Sequence, residues 1–428
     1  MRRYIVIIVL LLSGAVVAAS FYQPPMRLMP APAIFLDNDG NTFTANPSLL
    51  ADPEIKLFYA TNRLPIGPAA NRIYTIAPGR DLHMGEATVR IGDDATALDR
   101  IYEWSTRASN DTRPFLHLKN MNEQVTLETG AAIPPEAIEW LEQINSALEE
   151  SQSKDIIIYV HGANTTVERA AGQAAQLRHF TGRNSVVLLF VWPTAENFLR
   201  YPRDMVTAFG AAPHLANLIS LLSENTNAEN IDVFTYSAGA TVGSDALALI
   251  GRDARKPGAP KPRLGEVYHA APDADFRSFV NNMRNYADYA RRTTVSANLS
   301  DSALRLSQLV NRASRAGRPD MRELNDDETR WLLDATRDYR LELLRVRPEN
   351  IPGLSRRSHA FWYDDPWVSS DVLITLLYHL RPDERGLADN LATSGAHYWT
   401  FMPDYLERLS AVLAKLRKRA SNQQDDQS

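Results

Sequence analysis

Val233-Phe234-Thr235-Tyr236-Ser237-Ala238-Gly239-Ala240 reads as an apolar strand that runs into a sharp turn and then a helix, with a serine at the apex. Such a turn lifts a serine hydroxyl clear of a sheet and sets it at a helix N-terminus, where developing negative charge is favoured. Strand and helix must approach closely, so small residues are wanted two before and two after the serine. Gly239 meets that need, while Thr235 stands where glycine is usual. A lone Ser-x-Gly would read as a plain helix cap. The flanks decide otherwise, because a hydrophobic strand precedes Ser237 and an alanine-rich helix with Ala238, Ala240, Ala246 and Ala248 follows.

Working outward, the same alternation repeats. Ile156-Ile157-Ile158-Tyr159-Val160 is a continuous apolar run, the mark of a strand buried on both faces. It leads into His161-Gly162-Ala163-Asn164-Thr165-Thr166, where Thr166 suits the cap of a helix reaching residue 180. Strands are expected over 186–192, 230–234, 264–270, 293–297 and, as the last one, 341–346. Helices are expected over 201–223, 237–250, 276–290 and the highly charged 320–339. Repeated strand-helix units predict an α/β fold with a mostly parallel, doubly wound sheet flanked by helices. Ahead of this lie an amphipathic helix over 134–150 and a β-rich stretch with strands over 55–63, 85–91, 115–119 and 124–128. Two helices, over 371–380 and 404–419, close the chain.

Composition bounds the partners. The chain has 428 residues, 44% of them hydrophobic, enough to bury a large core. A net charge of -5 supplies no basic field, so nucleic acid is not an expected partner. The absence of cysteine excludes disulfides, thiolate metal sites, a cysteine nucleophile and a lipoprotein anchor. Met1-Arg2-Arg3 followed by an uncharged run over 4–19 reads as a signal peptide with Val17-x-Ala19 at its cleavage site, or as an uncleaved membrane anchor. Either places the body outside the cytoplasm, in the periplasm or beyond, or tethered to the inner membrane. The expected organisation is residues 1–20 as signal or anchor, 21–50 as a linker rich in Pro, Asn and Asp, 51–419 as one domain with insertions, and 420–428 as a disordered tail.

Several motifs fall in a specific order: Val160-His161-Gly162-x-Asn164, Trp192-Pro193, Tyr201-x-x-Asp204, Tyr236-Ser237-x-Gly239 and Ala270-Ala271-Pro272-Asp273-x-Asp275. With Phe58-Tyr59-Ala60-Thr61-Asn62-Arg63 before them, they resemble the bacterial alpha/beta hydrolase family of unknown function 900. The resemblance covers roughly residues 55 to 410. It implies the α/β-hydrolase fold and a serine triad, and it names no substrate.

In that fold the triad runs Ser, then Asp or Glu, then His along the chain. Ser237 is the expected nucleophile. Asp301 lies just beyond the fifth strand of the alternating series, where the acid usually sits, and Asp301-Ser302-Ala303-Leu304 matches the family's Asp-x-Ala-Leu pattern. The same residues would suit a helix cap, and Asp273 and Asp275 are the alternatives for the acid. Only His359, His379 and His397 follow Asp301. His359 is preferred because its segment, with the aromatic residues after it, looks like the family's histidine segment. His397 is the alternative base, and His379 reads as part of an apolar helix.

The backbone N–H groups of Ala163 and Ala238 are the expected oxyanion donors, with His161 shaping the loop. No cofactor or metal site is expected. Trp192, Phe198, Tyr201, Phe361, Trp362 and Trp367 could line an acyl pocket or pack beneath loops. These features point to a serine hydrolase of esterase or lipase type acting on a small-molecule or lipid-like acyl substrate. The other class they admit is a non-catalytic, membrane-tethered scaffold that keeps the fold.

Overall fold

The structure is a computed structural model that describes residues 26–35, 51–108 and 111–425. The expected signal or anchor therefore lies outside the described residues. Eleven strands form a single sheet: β1 (Glu54–Ile66), β2 (Ile73–Ile91), β3 (Leu116–Leu127), β4 (Ile156–Val160), β5 (Val186–Val191), β6 (Ile231–Tyr236), β7 (Leu264–Ala270), β8 (Arg292–Ala297), β9 (Leu341–Arg345), β10 (Ala388–Leu391) and β11 (His397–Thr400). Their order is β10-β11-β9-β8-β7-β6-β4-β5-β1-β2-β3. The eight strands from β11 to β1 are parallel, and antiparallel ribbons finish both edges.

The central strands are uniformly buried, and their alternation serves two cores. On β4, Ile157 and Tyr159 face one layer, while Ile156, Ile158 and Val160 face the other. The helices are α1 (Leu98–Thr106), α2 (Pro135–Glu150), α3 (Val167–Phe180), α4 (Tyr201–Asn225), α5 (Gly239–Asp253), α6 (Phe276–Tyr286), α7 (Ser302–Asn311), α8 (Asp326–Arg337), α9 (Phe361–Asp364), α10 (Pro366–Tyr378) and α11 (Tyr405–Asp425). α3, α10 and α11 contribute to the first core; α2, α4, α5 and α6 contribute to the second. α4 is long and apolar enough to cross a membrane. Here Ala208, Ala211, Leu215 and Ile219 bury one side of it in the second core instead.

Some expected boundaries change. The linker expected over 21–50 is not free in its middle. Leu28, Met29, Ile34 and Phe35 are buried, Met29 N–H donates to Gln176 (3.0 Å), and Phe35 packs on Phe180. Apart from Arg27 this piece carries no charge, so its apolar side chains gain more on the first core than in water. The two short strands expected near 115–128 are one strand, β3. The sheet does not end at β9, because the β10–β11 hairpin adds two four-residue strands too mixed in composition to signal themselves. α11 continues to Asp425, through the start of the expected tail.

Candidate active site

All the loops that matter leave the C-terminal edge of the parallel strands, the usual ligand edge of such sheets. At the end of β6, Ser237 has φ +52°, a left-handed conformation that costs a non-glycine residue roughly 1–2 kcal/mol. Hydrogen bonds offset it. Ser237 N–H donates to the Ala270 carbonyl (3.0 Å), and its own carbonyl accepts from Ala240 (3.0 Å) and Asp273 (2.9 Å). The crossing is close: a Cβ on Gly239 would lie 2.5 Å from the Val160 carbonyl oxygen, and one on Gly162 would lie 3.0 Å from Ser237 Cβ.

Thr235 fits the glycine position because the small residue has moved to the helix. Its methyl fills the space beside Gly243, where a Cβ would come within 2.5 Å of it. Its hydroxyl meets His269 Nδ1 at 2.6 Å. Burial lowers the His269 pKa to about 3, so the ring there is neutral.

The structure brings Ser237, His359 and Asp301 together. His359 Nε2 lies 2.8 Å from Ser237 Oγ, and its Nδ1 lies 2.5 Å from Asp301 Oδ2. Asp301 is fully buried. Its other oxygen, Oδ1, accepts from the N–H groups of Ala303 (2.8 Å) and Leu304 (3.1 Å) and caps α7. Asp301 therefore faces His359 and caps α7 at once, on separate oxygens. Asn298 ties the two loops together by donating to the carbonyls of Arg356 (3.1 Å) and Ser358 (2.9 Å).

The alternatives are occupied elsewhere. Asp273 is ion-paired with Arg315 (2.6 Å) and accepts from Tyr201 and Ser307. Asp275 caps α6 through Ser278 N–H. His397 faces Asp389 across the β10–β11 hairpin at 3.3 Å.

Beside Ser237, the N–H groups of Ala163 and Ala238 have no acceptor among the described residues. The loop that carries Ala163 is held by residues that were legible only as motif letters. Asp204, fully buried on α4, accepts from Asn164 N–H (2.8 Å) and Ala195 N–H (2.6 Å), and burial raises its pKa. Arg63, buried at the end of β1, donates to the carbonyls of Trp192 (3.0 Å) and Thr165 (3.1 Å) and to Glu196 (2.6 Å). Trp192 Nε1 donates to the His161 carbonyl (2.7 Å), and the two rings stack. Burial lowers the His161 pKa to about 3, so a neutral ring shapes the loop.

A cavity of about 380 Å3 opens over Ser237. Leu199, Pro202, Ala303, Leu306 and Val310 make an apolar wall; Asn164, Tyr201, Asp273 and Ser307 make a polar one. Of the five aromatics weighed for this place whose side chains are described, only Tyr201 lines it, joined by Tyr236. Trp192, Phe361, Trp362 and Trp367 are buried in packing, where large rings contribute most. Trp362 sits among Tyr159, Phe234 and Tyr236. The Phe198 side chain lies outside the described residues.

At the opposite edge of the sheet, Asp155, Asp232 and His379 present donor atoms within 4.8 Å of one another. His379 Nε2 lies 2.8 Å from Asp155, and Nδ1 lies 3.4 Å from Glu266. Burial would lower its pKa, but the two carboxylates lift it to about 9. The imidazolium itself thus supplies the cation in this cluster.

Residues 137–335 match the family model described as alpha/beta hydrolase of unknown function (DUF900). No curated protein matches the chain. Among solved structures it is similar to an inhibited esterase B from Lactobacillus rhamnosis, at 11% identity over 54% of this chain and 77% of that one, with a TM-score of 0.29. It is also similar to a lipase-esterase related protein from Clostridium acetobutylicum, at 14% identity over 63% and 95%, with a TM-score of 0.24. A hyperthermophilic esterase from the archaeon Pyrobaculum calidifontis gives 14% identity over 63% and 79%, with a TM-score of 0.25. The matched stretch carries Ser237, Asp301 and the Ala163 loop and stops short of His359. Over that stretch, somewhat under half of its length, the chain matches the alpha/beta hydrolase family of unknown function 900.

Proposed function

We propose that this hydrolase is a serine enzyme of esterase or lipase type that works through an acyl-enzyme. The observation that carries this reading is the unbroken hydrogen-bonded chain from Ser237 through His359 to Asp301, opening into a cavity with an apolar wall. Asp301 selects the tautomer of His359 with the proton on Nδ1, which leaves Nε2 as the acceptor for the serine proton. Ser237 Oγ attacks the acyl carbonyl as Nε2 takes that proton. The oxyanion forms against the N–H groups of Ala163 and Ala238, which need no reorganisation to receive it. His359 then protonates the leaving alkoxide, and water, activated by the same nitrogen, releases the carboxylic acid. The chain's N-terminal run over 4–19 is the basis for assigning this activity to the extracytoplasmic side, as a secreted or membrane-tethered enzyme.

The test is labelling with a fluorophosphonate probe, alongside hydrolysis of short-chain p-nitrophenyl esters. Wild type should label and turn over, and Ser237→Ala should do neither. Equal labelling of both proteins, with no Ser237-dependent turnover on short or long acyl esters, would favour the non-catalytic scaffold.

A further inference from the structure

A second cavity, of about 240 Å3, lies between β8, β9 and the helices α6 and α8. It shares no lining residue with the Ser237 cavity. Phe276, Phe279, Val295, Leu332 and Leu343 supply its walls. Three polar side chains interrupt this lining: Ser394 in the β10–β11 turn, and Arg345 and Tyr398 at the strand end. Arg345 follows Leu343 on the same face of β9, and Tyr398 comes from the neighbouring β11, where Leu344 pairs with Trp399.

Neither the Arg345 guanidinium nor the Tyr398 hydroxyl has a hydrogen-bond or ion-pair partner among the described residues. That sets Arg345 apart. Arg63, Arg292, Arg315 and Arg385 are each matched to a carboxylate within 2.6 Å. Among the described residues, Arg345 is the one part-buried arginine whose side chain lacks any partner.

We propose that this cavity binds an aliphatic monocarboxylate, a medium-chain fatty acid, with its chain among the apolar walls and its carboxylate on Arg345 and Tyr398. A guanidinium presents paired donors that match both oxygens of one carboxylate, and a tyrosine hydroxyl adds a third donor. One cation balances one negative charge. An apolar cleft with a few convergent polar groups at one end is the general form of a site for such a molecule. Binding here involves no covalent step and needs no turnover at Ser237.

The experiment is calorimetric titration of the full chain with decanoate below its micellar range, and separately with decanol. Saturable decanoate binding is expected in wild type and in Ser237→Ala. Arg345→Gln should weaken decanoate by about tenfold or more, the scale of a lost charge-assisted pair, and leave decanol unchanged. Tyr398→Phe, a milder change, should weaken decanoate by a few-fold. Leu306→Trp, which fills the Ser237 cavity, should leave decanoate binding as it is. The proposal is overturned if wild type shows no saturable binding or if Leu306→Trp abolishes it. It also fails if decanoate affinity is insensitive to both Arg345→Gln and Tyr398→Phe.

Discussion

The two edges of the sheet each carry a histidine against an aspartate, and the pairs look alike at first contact. At the C-terminal edge His359 sits 2.5 Å from Asp301; at the N-terminal edge His379 sits 2.8 Å from Asp155. What differs is the second ring nitrogen. That of His359 meets the hydroxyl of Ser237 at the floor of a cavity. That of His379 meets a second carboxylate, Glu266, which Arg292 also pairs at 2.6 Å. Carboxylates on both sides favour the charged ring and lift its pKa to about 9. One carboxylate and one hydroxyl leave a nitrogen free to accept. A His–Asp pair thus becomes a base or a structural cation according to what stands on its far side.

Breaking the first pair should have the largest effect. Asp301→Asn removes the charge behind His359 while keeping a side chain that caps α7 well. Ester hydrolysis should fall by about 10^2–10^4-fold with the melting temperature nearly unchanged. A large drop in stability instead would mean that the cap was the main job of Asp301.

Asp204→Asn sharpens the same side of the comparison, because it loosens the loop bearing Ala163 without touching the reacting groups. It should lower kcat by roughly 10–10^2-fold with KM nearly constant. A purely structural role would lower the melting temperature and spare kcat per folded molecule.

Breaking the second pair should leave hydrolysis alone and change only how stability depends on pH. His379 titrates near 9 in the folded chain and near 6.5 unfolded. A folded pKa raised above the unfolded one gives stabilisation that is complete below about 6.5 and is lost as pH rises to about 9. The difference in melting temperature between wild type and His379→Gln should therefore shrink across that window. A difference that stays constant from pH 6 to 10 would refute the imidazolium assignment.

The elbow offers the smallest and most local test. Gly243→Ala should collide with Thr235 and cost about 1–3 kcal/mol, measured by denaturant unfolding. Adding Thr235→Gly should recover most of it, because the pair only exchanges which element carries the small residue.

Much of the site could be read from the chain because its signals are local. A buried strand, a left-handed serine and an alanine-rich helix are consecutive in sequence, so Ser237 and the Ala163 loop announced themselves. Asp301 was ambiguous for a physical reason: one oxygen faces His359 and the other caps α7, and both placements have the same sequence signature. Asp204 and Arg63 gave no role to read, because most of their partners are backbone groups on loops up to 129 positions away. The free tether expected over 21–50 failed for a related reason. Residues 26–35 show apolar composition, but only the fold supplies the groove on α3 that covers them.

By itself the sequence determined the architecture, since apolar periodicity and small-residue turns act through neighbours along the chain. It also set the chain order of Ser237, Asp301 and His359. The tertiary structure alone decided which histidine faces a hydroxyl and which faces a second carboxylate. It likewise decided which part-buried arginine has no partner among the described residues and which aromatics pack instead of lining the cavity. Those outcomes depend on side chains brought together from strands far apart in sequence, where distance and burial set charge, and residue type does not.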